Sequence, residues 1–141
     1  MVVRSARLGD FHVEEKDMIT FHDGILGFPE SKGYAWVHSI EPNLPIECLQ
    51  CAINEQLTFM IVDPFLFAPE YEFELSEEIK QTLNITSEEQ IVIRVILTAR
   101  SDSNTTLNLR APLIINVTNN KAVQIILDGP QYQLQYPIGR G

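Results

Sequence analysis

QIVIRVILTA, residues 90 to 99, is the stretch whose reading decides the fold class. Ile91, Val92, Ile93, Val95 and Ile96 are branched at Cβ, which stiffens χ1 and suits a pleated surface better than a helix. Taken two by two, Ile91, Ile93, Val95 and Leu97 form one wholly apolar face, while Arg94 and Thr98 dilute the other. That is the pattern of a strand buried on one side. The same signature recurs outward in both directions: YAWVHSI (34 to 40), IECLQCAI (46 to 53), LTFMIV (57 to 62), LNLRAPLIINV (107 to 117) and AVQIIL (122 to 127). Pro, Asn, Asp and Gly clusters separate them. The chain therefore reads as all-β, with eight to ten short strands closing into a barrel or a strongly twisted sandwich.

The punctuation is specific. Thr118-Asn119-Asn120-Lys121 predicts a tight hairpin, because Asn tolerates positive φ. In GILG (24 to 27) the two glycines permit positive φ at a turn, and without a lysine or a following helix the motif is no phosphate loop. One or two short helices interrupt the strands. SEEIKQTL (76 to 83) has Ser76 as cap, two carboxylates in its first turn, and Ile79 with Leu83 on one face. Thr86 and Glu89 repeat the capping-box spacing and predict a further helical turn.

At 141 residues the chain is expected to form a single domain, 1–141, with the final GRG mobile. Charges interrupt the first twenty residues throughout, so no signal peptide is read there, and no run reaches the length of a membrane span. A cytoplasmic place is expected, with no membrane partner. Ten Lys and Arg against nineteen Asp and Glu leave a net charge of −9, without the basic cluster that phosphate-backbone binding requires. Direct nucleic-acid binding is therefore not expected, whereas an acidic surface favours encounter with a basic protein.

Catalytic and metal chemistry find little support. Cys48 and Cys51 have C-x-x-C spacing, but on a strand the two thiols diverge, so reduced structural cysteines are expected. His12, His22 and His38 show neither i, i+3 nor i, i+4 pairing and there is no second cysteine pair, so neither a metal nor another cofactor is expected. Ser39 beside His38 and Asp23 beside His22 supply triad letters without a nucleophile turn. The chain is expected not to be an enzyme.

DPFLFAPEYEFELS, residues 63 to 76, is the candidate functional segment. It holds four of the chain's twelve aromatics, two prolines and four carboxylates, with no basic residue. Pro64 and Pro69 bar a helix interior or a central strand, so an irregular crossing is expected up to Pro69. Beyond it, Tyr71, Phe73 and Leu75 alternate with Glu70, Glu72 and Glu74, which predicts a short strand with an apolar back and an acidic front. Phe65, Phe67, Tyr71 and Phe73 are expected to plug one end of the barrel. Asp63 and the three glutamates form an acidic edge suited to a protein interface. The competing reading is a small β-barrel module that holds a ligand in its mouth.

Four ordered motifs carry a family resemblance: ITFHDGILGFPE (19 to 30), VDPFLFAPEYEFEL (62 to 75), NLRAPLIINV (108 to 117) and QIILD (124 to 128). In order and spacing they resemble the flagellar assembly factor FliW family, across nearly the full chain. The resemblance implies an antiparallel, β-barrel-like domain that binds rather than catalyses. It also implies two partners, flagellin and the RNA-binding translational repressor CsrA. When secretion drains flagellin, the freed factor would capture CsrA and relieve repression of flagellin mRNA. Asp63, Pro64, Phe65, Pro69, Tyr71 and Glu72 are the motif positions carried over, and Glu70 and Glu74 join them on the acidic edge.

Overall fold

A computed structural model describes residues 1–38, 43–100 and 104–138. Its strands are β1 (Val2–Val3), β2 (Phe11–His12), β3 (Ile19–Phe21), β4 (Gly33–Val37), β5 (Glu47–Cys51), β6 (Thr58–Val62), β7 (Ile91–Ala99), β8 (Thr105–Leu107), β9 (Leu113–Asn116), β10 (Lys121–Gln124) and β11 (Tyr136–Pro137). A single α-helix, α1 (Glu77–Thr82), lies between β6 and β7 among the described residues. The all-β expectation holds, with three two-residue strands extending the predicted count. The GRG end and the last residues of the 34 to 40 stretch lie outside the described residues.

The decisive stretch is also the structural hinge of the sheet. β7 pairs with β6 along one edge, through Val62↔Val95, Ile61↔Ile96 and Met60↔Leu97. Its other edge is divided: Leu97–Ala99 take β8, and Ile91–Arg94 take β9. The ring β7-β6-β5-β4-β3-β10-β9 then returns to β7, a closed barrel of seven strands. The pairings around it are antiparallel except β3 with β10, which run parallel. The expected single strand over 107 to 117 is therefore two strands. Pro112 has no N–H to donate, and Asn108 Oδ1 accepts from the backbone N–H groups of Arg110 and Ala111, each at 3.1 Å. That turn carries the chain from one half of the β7 edge to the other.

The hairpin and the glycine turn form where the sequence places them. Asn120 has φ of 59° between β9 and β10. Gly24 and Gly27 have φ of 71° and 90°, and a Cβ on Gly24 would sit 2.5 Å from the carbonyl oxygen of Phe28. Ser76 caps α1, its Oγ accepting from Ile79 N at 3.2 Å. The capping box after the helix is Ser87 with Gln90 rather than Thr86 with Glu89. Gln90 Oε1 accepts from the N–H groups of both Thr86 and Ser87, which shifts the frame by one residue.

Two apolar layers result. Inside the ring, Phe21, Tyr34, Leu49, Ile61, Leu113 and Ile115 interlock. Outside it, the opposite faces of the same strands carry Val62, Val95 and Leu97, and further along Ile91, Ile93, Ile114 and Val123. Residues 63 to 76, α1 and the C-terminal segment cover that outer face. β7 thus packs apolar side chains on both faces, with Val95 and Leu97 buried and Ile91 to Arg94 half-buried, and its wholly apolar face points out of the barrel rather than in. Arg94 belongs to the inner face, where it closes an ion pair.

Candidate functional site

The candidate segment begins with a capped turn. Asp63 Oδ1 accepts from Phe65 N at 2.9 Å and Pro64 occupies the first position of a 3-10 turn over Pro64–Leu66, where its missing N–H costs nothing. Pro64 is buried, while Phe65 and Leu66 are exposed at the tip. Ala68 and Tyr71 then return to the outer face of the sheet beside Val62, Val95, Leu107 and Leu109. The aromatics do not plug the barrel. They lie outside the ring, because the interior is already filled by side chains of the inner faces and the outward Val62, Val95 and Leu97 offer the uncovered apolar surface. Phe65 and Phe73 flank Tyr71, with ring centroids 5.8 and 5.5 Å away.

The predicted strand over 70 to 75 does not form. Side-chain alternation is as expected: Tyr71 is buried, Phe73 and Leu75 are half-buried, and Glu70, Glu72 and Glu74 are exposed. The backbone, however, enters no ladder among the described residues. Two hydroxyls tether it instead. Tyr71 Oη donates to Leu109 O at 2.7 Å, and Tyr132 Oη donates to Glu72 O at 2.7 Å. Burial pushes the Tyr71 phenol above its ordinary pKa, and the neighbouring Tyr132 adds to the effect.

A groove of about 590 Å³ follows from this arrangement. Glu70, Tyr71, Glu72, Phe73 and Glu74 form one wall, with Leu109, Tyr132 and Tyr136 among the residues opposite. The three glutamates make no ion pair among the described residues. Of the candidate positions, Glu70, Tyr71, Glu72 and Glu74 come together here, whereas Asp63 and Pro64 shape the preceding turn and Phe65 and Pro69 do not line the groove. The sequence reading missed Gln131, Tyr132, Gln133 and Tyr136, and the alternating QYQLQY at 131 to 136 was the available signal. On the far side of the same wall lies a second groove of about 500 Å³, floored by Phe73, Leu75, Ile85, Ile91 and Ile93 with Glu74, Lys80 and Glu88 on its rim.

The barrel mouth holds a separate polar cluster. Arg94 Nε donates to Glu47 Oε1 at 2.7 Å, Trp36 Nε1 donates to the same oxygen at 3.1 Å, and the Arg94 guanidinium lies 5.6 Å from the Trp36 ring. These groups satisfy one another. Cys48 and Cys51 are free and buried, and Cys51 belongs to the interior layer while Cys48, three residues back on β5, projects to the other side. Burial raises the Cys48 thiol pKa, which leaves it less reactive than an exposed thiol. Among the described residues no three His, Cys, Asp or Glu side chains gather to hold a metal ion, and no helix is long and apolar enough to cross a membrane.

Comparison with known proteins is consistent along the whole chain. The FliW protein family matches residues 2–138. The flagellar assembly factor FliW of Caldanaerobacter subterraneus subsp. tengcongensis is 37% identical over 139 residues, covering 98% of this chain and 93% of that protein. That of Clostridium botulinum (strain Alaska E43 / Type E3) is 39% identical over 137 residues, covering 96% of each. A crystal structure of the flagellar assembly factor FliW superposes with a TM-score of 0.88 at 33% identity, covering 97% of this chain and 96% of that one.

Proposed function

This chain belongs to the FliW family of flagellar assembly factors, and on that premise we propose that it works by binding and not by catalysis. In this reading it holds flagellin in the cytoplasm as a chaperone does. Freed of flagellin, it holds the translational repressor CsrA and so relieves repression of flagellin mRNA. The observation that supports the CsrA half is the acidic edge: Glu70, Glu72 and Glu74 stand exposed and without ion pairs among the described residues, over an aromatic groove, on a chain of net charge −9. An RNA-binding partner is basic where it meets phosphate, and complementary potentials speed and orient such encounters. The ligand-holding barrel is the weaker reading, because the interior is filled by Phe21, Tyr34, Leu49, Ile61, Leu113 and Ile115.

Glu72→Lys tests the proposal. The residue is exposed on the outward side of the segment, so the melting temperature should stay close to that of the parent. Titration calorimetry against CsrA should show affinity reduced by about five- to thirty-fold, or about 1 to 2 kcal/mol. Flagellin affinity should fall less. Parental affinity for CsrA in a folded variant would move the interface elsewhere.

A further inference from the structure

The Tyr71–Leu75 stretch has the extended alternation of a strand and lacks a strand's neighbours. Its burial runs in and out residue by residue. Among the described residues, the backbone N–H groups of Glu72, Phe73, Glu74 and Leu75 donate to no acceptor in the protein, and only Glu72 O in that run accepts a bond, from Tyr132. Backbone groups of this kind are an open pairing edge. Ordinarily such an edge is blunted by proline, a bulge or a covering segment. Here it is flanked by space on both sides, since Phe73 and Glu74 wall both grooves.

We propose that Glu72–Leu75 is a strand-addition site, which pairs through its backbone with an extended peptide segment that alternates basic with apolar side chains. The alternation of the site dictates that of its guest. On one face Glu72 and Glu74 present carboxylates that no Lys or Arg answers among the described residues, so the guest's residues on that side are cationic. On the other face Phe73 and Leu75 continue into the apolar floor of Ile85, Ile91 and Ile93, so the guest's intervening residues are apolar. Backbone bonds supply affinity in this mode, and the alternate side chains supply selection. The inference rests on the reading that the acidic edge receives a basic protein, and adds how that protein is held.

The experiment uses synthetic octapeptides and amide hydrogen exchange on the intact chain. The probe is (Lys-Val)4, compared with (Glu-Val)4 and with a (Lys-Val)4 in which every second backbone amide is N-methylated. (Lys-Val)4 should bind and slow exchange of the Glu72–Leu75 amides at least tenfold. N-methylation keeps charge and side chains but removes donors, and should weaken binding at least tenfold. (Glu-Val)4 should not bind. Equal binding of the methylated peptide, or binding without slowed exchange at Glu72–Leu75, overturns strand addition while leaving an acidic interface standing. Absence of (Lys-Val)4 binding overturns the site. Loss of CsrA affinity in Glu72→Lys is a separate result that bears only on the reading beneath it.

Discussion

β5 and the Tyr71–Leu75 stretch are each five residues long and each alternate inward and outward side chains, yet one is hydrogen-bonded to a strand on either side and the other, among the described residues, to none. Cys48, Leu49, Gln50 and Cys51 are all buried, because the ring encloses one face of β5 and covering chain hides the other. Along Tyr71–Leu75 only the odd-numbered side chains leave water. Alternation thus reports which faces are dry and says nothing about partners. Partners depend on free edges, and in the closed ring both edges of β6, β7 and β9 are taken by other strands, so residues 70 to 75 find none there. The later segment lies on top of the sheet instead of joining it.

The contrast is open to test by truncation. Leu49→Ala removes a fully buried side chain from the interlocked interior and should cost about 3 to 5 kcal/mol, measured by urea unfolding. A loss below about 1 kcal/mol would mean that the interior is not close-packed, and the comparison would fail at its stronger side. Tyr71→Phe keeps the ring on the outer face but deletes the donor to Leu109 O. The buried carbonyl then goes unanswered, and stability should drop by about 1 to 2 kcal/mol in thermal melts.

The smallest effect belongs to the interior tyrosine. Tyr34 is fully buried and its hydroxyl has no hydrogen-bond partner among the described residues, so Tyr34→Phe should be neutral or stabilising by up to about 1 kcal/mol. A loss as large as that of Tyr71→Phe would erase the distinction between the two sites. Burial, with a smaller contribution from Cys51, pushes the Tyr34 phenol above its ordinary pKa. The folded state therefore holds that proton more tightly than the unfolded chain, so the associated stability is complete below about pH 10 and is lost as pH rises further. Tyr34→Phe should make the alkaline limb of the stability profile shallower.

Much of the architecture was legible because local chemistry agreed with it. The β-branched run at 91 to 99, the Asn turn before β10 and the Ser76 cap each act over a few residues and formed where expected. The dry face of 71 to 75 was legible for the same reason. What escaped was non-local. That Asn108 and Pro112 break one apolar run into two strands depends on β7 having a divided edge, which no window of sequence contains. That Arg94 points into the barrel depends on Glu47 waiting there from β5, far earlier in the chain. The groove wall at Tyr132 and Tyr136 was missed for a third reason: the QYQLQY alternation is present in the sequence but points to a groove only beside the aromatic stretch.

The parallel contact between β3 and β10 sets the order in which this molecule can assemble. Every other junction in the ring joins strands that are neighbours in sequence or within one hairpin's reach of β7, so each encloses a modest loop. Joining Thr20 to Lys121 encloses most of the chain, and the entropy of that closure must be met before the contact returns anything. Loop-closure entropy therefore predicts a barrel that zips from its middle outward and seals last at a seam of two residue pairs. By the same reckoning the outer apolar layer on β6, β7 and β9 falls on the early side of that order, and the seam on the late side.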